Sequence, residues 1–113
     1  MKQPDVQKYL WDALNAAIEA RSFIGTASLD EYLASRTSML LVERSLEIVG
    51  EALKRAADAD AALATEISYL RQIVGLRNVL AHGYAAIRHD RIYVIVHDDL
   101  PILIREIEAL LPR

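Results

Sequence analysis

The chain has 113 residues, 53% of them hydrophobic, with no cysteine and a formal net charge of -3. That length fits one domain over residues 1–113. The missing cysteines exclude a disulfide framework and thiolate metal sites, and no apolar run approaches the roughly 20 residues that span a bilayer. The acidic balance argues against a general nucleic-acid binder, and with no leader pattern at Met1–Asp5 the expected location is the cytoplasm.

A first helix is expected after Pro4. Val6, Leu10, Ala13 and Ala17 recur on one face, with Leu14 and Ile18 beside them. Gly25 marks its stop. Ser28 is a candidate N-cap, and Glu31 three residues later completes a capping-box pattern. The second helix, about Leu29 to Ala57, is expected to be the longest. Met39, Val42, Leu46, Val49 and Leu53 form a bundle seam by alternating steps of three and four. Glu51 and Arg55 make a favourable i,i+4 pair on its exposed side.

After a connection at Asp58–Asp60, a third helix is expected from about Ala61 to His82. Tyr69, Ile73, Leu76 and Leu80 form one stripe. Ile67, Leu70 and Val74 form another, and Arg77 continues it. A guanidinium on an apolar line needs a partner or a cleft. Glu43 and Glu47 are the acids considered as its partner. Gly83 is the expected C′ residue. Ile92–Val96 has the composition of a strand, but one short strand has nothing to pair with, so a short helix or turn is the expectation for residues 91–97. Asp98 or Asp99 then caps a last helix with Pro101 in its first turn and Ile104, Ile107 and Leu111 inside. The sum is an all-α up-and-down bundle of four long helices plus a short fifth.

Chemistry concentrates between Arg71 and Arg91, where four arginines face one acid, Asp90. Within it lies Arg77-Asn78-Val79-Leu80-Ala81-His82-Gly83-Tyr84. Arginine is always charged and binds phosphate in two-pronged fashion. Histidine, as a residue type, suits proton transfer at neutral pH. Together they suit phosphodiester cleavage by internal attack of a ribose hydroxyl. On a continuous helix, positions 77 and 82 lie about 140° apart around the axis. Either the helix breaks near His82, or a symmetric dimer brings both residues of two copies into one cleft. A zinc site from His82, His89 and His97 is disfavoured, and no metal or cofactor is expected. Arg88, His89 and Arg91 read as a solvated loop, or as a rim along which phosphates track, with Arg88 and Arg91 as the RNA-binding residues.

The Arg77-x4-His82-x-Tyr84 spacing resembles the motif of the HepT-like toxins, small members of the HEPN superfamily of helical ribonuclease domains. Val42–Ala52 is similar to that family's second-helix pattern, and Asp98-Asp99-Leu100-Pro101 to the turn before its last helix. The resemblance implies a HEPN bundle and a homodimer with a composite cleft. It implies metal-independent endoribonuclease activity on RNA such as tRNA or mRNA, leaving a 2′,3′-cyclic phosphate. Arg77 and His82 would be catalytic and Asn78 supporting. It also implies a partner, an MntA-like minimal nucleotidyltransferase antitoxin that transfers AMP from ATP to Tyr84. The alternative is a non-catalytic HEPN module that binds a nucleotidyltransferase or a nucleotide and cuts nothing.

Overall fold

The computed structural model describes residues 1–82 and 87–112. Every described element is helical: α1 (Pro4–Ile24), α2 (Leu29–Leu33), α3 (Arg36–Ala59), α4 (Leu63–Glu66), α5 (Leu70–Ala81), α6 (His89–Val94), a π-helical turn (Ile95–Asp99) and α7 (Leu100–Leu110). The all-α bundle of long helices is as expected, with α1, α3, α5 and α7 as its members. Helix α3 is the central one, packing chiefly on α1 and α5, while α7 packs on α1 and the π-helical turn. None of the helices is long and apolar enough to cross a membrane, among the described residues.

The core follows the seam read from the sequence. Val42, Leu46, Val49 and Leu53 of α3 are fully buried, against Val6, Leu10, Ala13 and Ala17 of α1 and Ile73 of α5. Alanines at 13, 16, 17 and 20 shorten the distance between α1 and α3 by offering little side chain at the contact. Ile18 departs from expectation: it is exposed, while Leu14 beside it is buried. In α7, Leu100 and Leu103 join Ile107 and Leu111 in the core and Ile104 is only partly covered.

Three boundaries differ from the sequence reading, each for a local physical reason. The long second helix is two. Ser28 caps α2 through the expected box, with Glu31 N–H donating to Ser28 Oγ (3.2 Å) and Ser28 N–H to Glu31 Oε1 (2.9 Å). Ser35 then leaves helical geometry, and its hydroxyl accepts from Ser38 N–H, capping α3 anew. The third helix is also split. Ile67 is extended and buried. Next to it, the Glu106 carboxylate on α7 accepts from both Ser68 N–H (3.1 Å) and Ser68 Oγ–H (2.7 Å). A tertiary contact thus supplies the acceptor that breaks the helix.

The third difference is at the last helix. Neither Asp98 nor Asp99 caps it. Asp99 is itself helical and makes no capping bond, so the chain winds on from α6 through the π turn into α7. Pro101 brings no N–H for the His97 carbonyl one turn earlier. Arg21 of α1 supplies the donor instead, its Nη1 reaching Val96 O (3.0 Å) and His97 O (3.3 Å). Residues 91–97 are therefore helical, with Ile92 and Val96 buried.

The amino terminus is tied down by charge. Lys2 Nζ donates to Asp60 at the end of α3 (2.7 Å) and to Glu66 of α4. The Lys2 ammonium, followed by a hydrogen bond from Ala62 N–H, holds the Asp60 carboxyl below its ordinary range. A carboxyl depressed on folding adds stability above its unfolded pKa and loses it as acid protonates the native state. Asp60→Asn is expected to lower the melting temperature at pH 7, with the gap to the parent closing as pH falls below about 4. Melting curves across that range check this; a gap independent of pH would place the effect elsewhere.

Candidate active site

Helix α5 places Arg77 on the side that faces α3. Its stem crosses α3 at Gly50, where any side chain would collide: a Cβ there would lie 2.3 Å from Arg77 Cβ and 3.1 Å from the Ile73 carbonyl oxygen. The glycine is what lets the arginine pass over the central helix and turn its head toward solvent. There the guanidinium is held from two sides. Nη2 pairs with Glu51 Oε2 at 2.8 Å, and Nη1 donates to Asn78 Oδ1 at 3.1 Å. Its side chain is 29% exposed and that of Glu51 38%, so the pair is an accessible one and the remaining N–H groups are reachable.

Arg77 opens into a groove of about 540 Å³ between α1, α3 and α5, lined among others by Lys8, Tyr9, Arg44, Glu51 and Arg55, and reaching Ala81. The Glu51 carboxyl is depressed, first by the hydrogen bond from Arg55 and then by the charge of Arg77. It therefore stays ionised and keeps both cations in place. The partner of Arg77 is thus Glu51, one turn further along α3 than Glu47 and two beyond Glu43, the acids read from the sequence.

Helix α5 ends at Ala81, and His82 is its exposed C-cap residue, with backbone N–H bonded to Asn78 O. The break near His82, one of the two geometries that the spacing leaves open, is present. The imidazole is therefore carried at the C-terminal end of α5. Tyr84, the expected modification target, and Gly83, the expected stop, lie outside the described residues. Downstream, Arg88 is exposed and gripped in two-pronged fashion by Asp90, at 3.2 and 2.9 Å. Arg91 is exposed on α6.

His89 corrects the loop reading. It is the first residue of α6, partly buried, with Nε2 3.3 Å from Glu43 Oε1 on α3. Beside this pair, Tyr32 is fully buried, and burial with the Glu43 charge pushes its hydroxyl up to about 12. Tyr93 packs on Tyr32 and donates to Ala27 O at 2.7 Å. This cluster fastens α6 to α2 and α3. Among the described residues no group of three His, Cys, Asp or Glu side chains is placed to hold a metal ion.

Sequence reasoning missed Gly50 and the second role of Glu51. A signal existed for the first: a lone glycine in the middle of a strongly patterned helix marks a close approach. None existed for the second, since the i,i+4 pairing with Arg55 already explained Glu51.

The described residues form a helical bundle that turns an arginine toward an open groove and carries a histidine at the end of the same helix. The ribonuclease HepT-like family model matches residues 13–110, and the chain belongs to that family. It is 30% identical over 110 residues to a Methanocaldococcus jannaschii protein provisionally named RNase MJ1380, covering 97% of this chain and 100% of the other. A second protein of that organism, provisionally named RNase MJ0127, is 30% identical over 111 residues, 98% of this chain and 91% of its own. A Thermococcus cleftensis protein with the name probable ribonuclease HepT is 28% identical over 102 residues, covering 90% of this chain and 92% of its own. No solved structure matches the chain.

Proposed function

We propose that this chain is a metal-independent endoribonuclease that works as a homodimer and serves as the toxin of a pair with a minimal nucleotidyltransferase. The observation that carries the proposal is the partly exposed guanidinium of Arg77, fixed by Glu51 and Asn78 five residues before a helix-terminal histidine. Arg77 binds the scissile phosphate and stabilises the charge that grows on its oxygens in the transition state. Asn78 keeps the guanidinium from rotating. His82 takes the proton from the ribose 2′-hydroxyl. Its counterpart in a second copy protonates the departing 5′-oxygen, and a 2′,3′-cyclic phosphate remains. Two copies are needed because one histidine cannot be base and acid in the same step. Arg88 and Arg91 guide the flanking strand.

Tyr84 is the regulatory target in this reading. Its phenol oxygen attacks the α-phosphorus of ATP on the nucleotidyltransferase, pyrophosphate leaves, and AMP stays on the tyrosine. The added phosphodiester then competes for Arg77 and repels RNA.

Purified protein is expected to cut single-stranded or loop-containing RNA in excess EDTA and to leave cyclic phosphate ends. Intact RNA at high protein concentration would leave the binding-module alternative in its place. Incubation with the cognate nucleotidyltransferase and ATP is expected to raise the intact mass by whole AMP units, and Tyr84→Phe to prevent it.

A further inference from the structure

Glu51 does more than hold Arg77. Its two carboxylate oxygens serve different guanidiniums: Oε1 accepts from Arg55 Nε at 3.0 Å and Oε2 pairs with Arg77 Nη2 at 2.8 Å. Two other cations of this groove pair one to one, Lys8 with Asp12 and Arg44 with Glu47. At Glu51 two permanent cations share one acid, which concentrates positive charge at the candidate catalytic arginine, while the groove as a whole, with Glu19 also in its lining, balances its cations with acids. Arg55 spends only its Nε–H on the carboxylate. Its side chain is 60% exposed, and its two terminal amino groups are the prongs that grip a phosphate.

An aromatic ring stands next to it. Tyr9, one turn before Ala13 on α1, lines the same groove. It shares that lining with Arg55, and Lys8 Nζ lies 5.9 Å from its ring centroid. A ring flanked by cations, in a groove that leads to a phosphate-binding arginine, is what an unpaired nucleotide needs: a surface for the base and charge for the phosphate.

We propose that Arg55 and Tyr9 form a subsite for the nucleotide adjoining the scissile phosphate of single-stranded RNA, Arg55 binding its phosphate and Tyr9 its base. The inference rests on the ribonuclease reading of Arg77. It makes α3 the strand's track: one carboxylate sets the spacing of two guanidiniums, one for the bond that breaks and one for the next phosphate along. It also answers how an acidic protein holds RNA, since binding is concentrated where two arginines share one acid instead of being spread over a basic face.

Two substrates separate the roles: a short labelled single-stranded RNA with several phosphates, and a dinucleoside monophosphate with one. With the RNA, Arg55→Ala is expected to raise KM about tenfold with kcat unchanged, and to flatten the slope of log affinity against log salt by about 0.7. With the dinucleoside monophosphate neither constant should move, and Arg55→Lys should recover much of the loss. Tyr9→Ala should weaken RNA binding by roughly tenfold while Tyr9→Phe keeps it. A fall in kcat at unchanged KM for Arg55→Ala would mean that Arg55 acts only through Glu51 on Arg77, and would overturn the subsite, as would no change in either constant. If the parent protein cuts nothing, the ribonuclease reading fails by itself. The subsite is then judged by anisotropy of the labelled RNA on the His82→Ala protein: it stands if adding Arg55→Ala weakens binding about tenfold and falls if binding is the same.

Discussion

His82→Ala is expected to lower the single-turnover rate of RNA cleavage by about 10²–10⁴-fold, the usual worth of a positioned proton-transfer group, with RNA affinity nearly unchanged. His82 is exposed at the end of α5, and the bond that its backbone makes there, to Asn78 O, is kept in alanine. A melting curve of the variant, run beside the rates, separates loss of chemistry from loss of fold. Arg77→Ala should behave differently. It removes a phosphate contact as well as transition-state charge, so both affinity and rate should fall. It also leaves Glu51 with Arg55 alone. The two variants together separate proton transfer from phosphate binding. A His82→Ala protein that cuts as fast as the parent would remove His82 from the mechanism even if the activity is real.

Why these particular side chains and not others were legible is a question of range. The seam of α3 and the capping box at Ser28 are local patterns, written within a few residues, and both are present. The second cap at Ser35 is also local, but a serine pair is a weak mark beside a continuous apolar seam. The break at Ser68 is not local at all: it depends on Glu106, 38 residues away. The same holds for Arg21 and the carbonyls of Val96 and His97. In the site, the spacing of Arg77 and His82 showed that a straight helix would part them, and α5 does end at Ala81. The identity of the acid that holds Arg77 was beyond the sequence, because Glu43, Glu47 and Glu51 recur on one face of α3 and only the crossing of α3 with α5 selects among them. Gly50 sets that crossing.

Gly50→Ala is for that reason expected to be the most damaging small change in the protein. Taken as a helix residue alone, glycine is about 1 kcal/mol worse than alanine, so the substitution should stabilise α3. At Gly75, where an added Cβ meets nothing within 4 Å, Gly75→Ala should show that gain. At Gly50 the methyl would sit 2.3 Å from Arg77 Cβ, 2.9 Å from its Cγ and 3.1 Å from Ile73 O. Arg77 Cβ is fixed by the α5 backbone and Ile73 O is part of it; only Cγ can turn about χ1. Turning it leaves the 2.3 Å contact with Cβ in place, so α5 must shift. Overpacking of this kind typically costs about 1–3 kcal/mol. That outweighs the propensity gain, and the melting temperature should fall by several degrees, each kcal/mol being worth roughly 4–8 °C in a domain near this size. Displacing α5 also moves the Arg77 guanidinium off Glu51, so cleavage should fall further than stability requires, and should stay low at temperatures where the variant is fully folded. The partner substitution distinguishes this contact from any general intolerance at position 50. Arg77→Ala keeps its Cβ, so Gly50→Ala should remain costly in that background. Arg77→Gly removes the Cβ, and there the added cost of Gly50→Ala should shrink to what the Ile73 carbonyl imposes. Equal costs of Gly50→Ala in the two backgrounds, measured by denaturant unfolding, would show that α3 and α5 do not meet through these two residues.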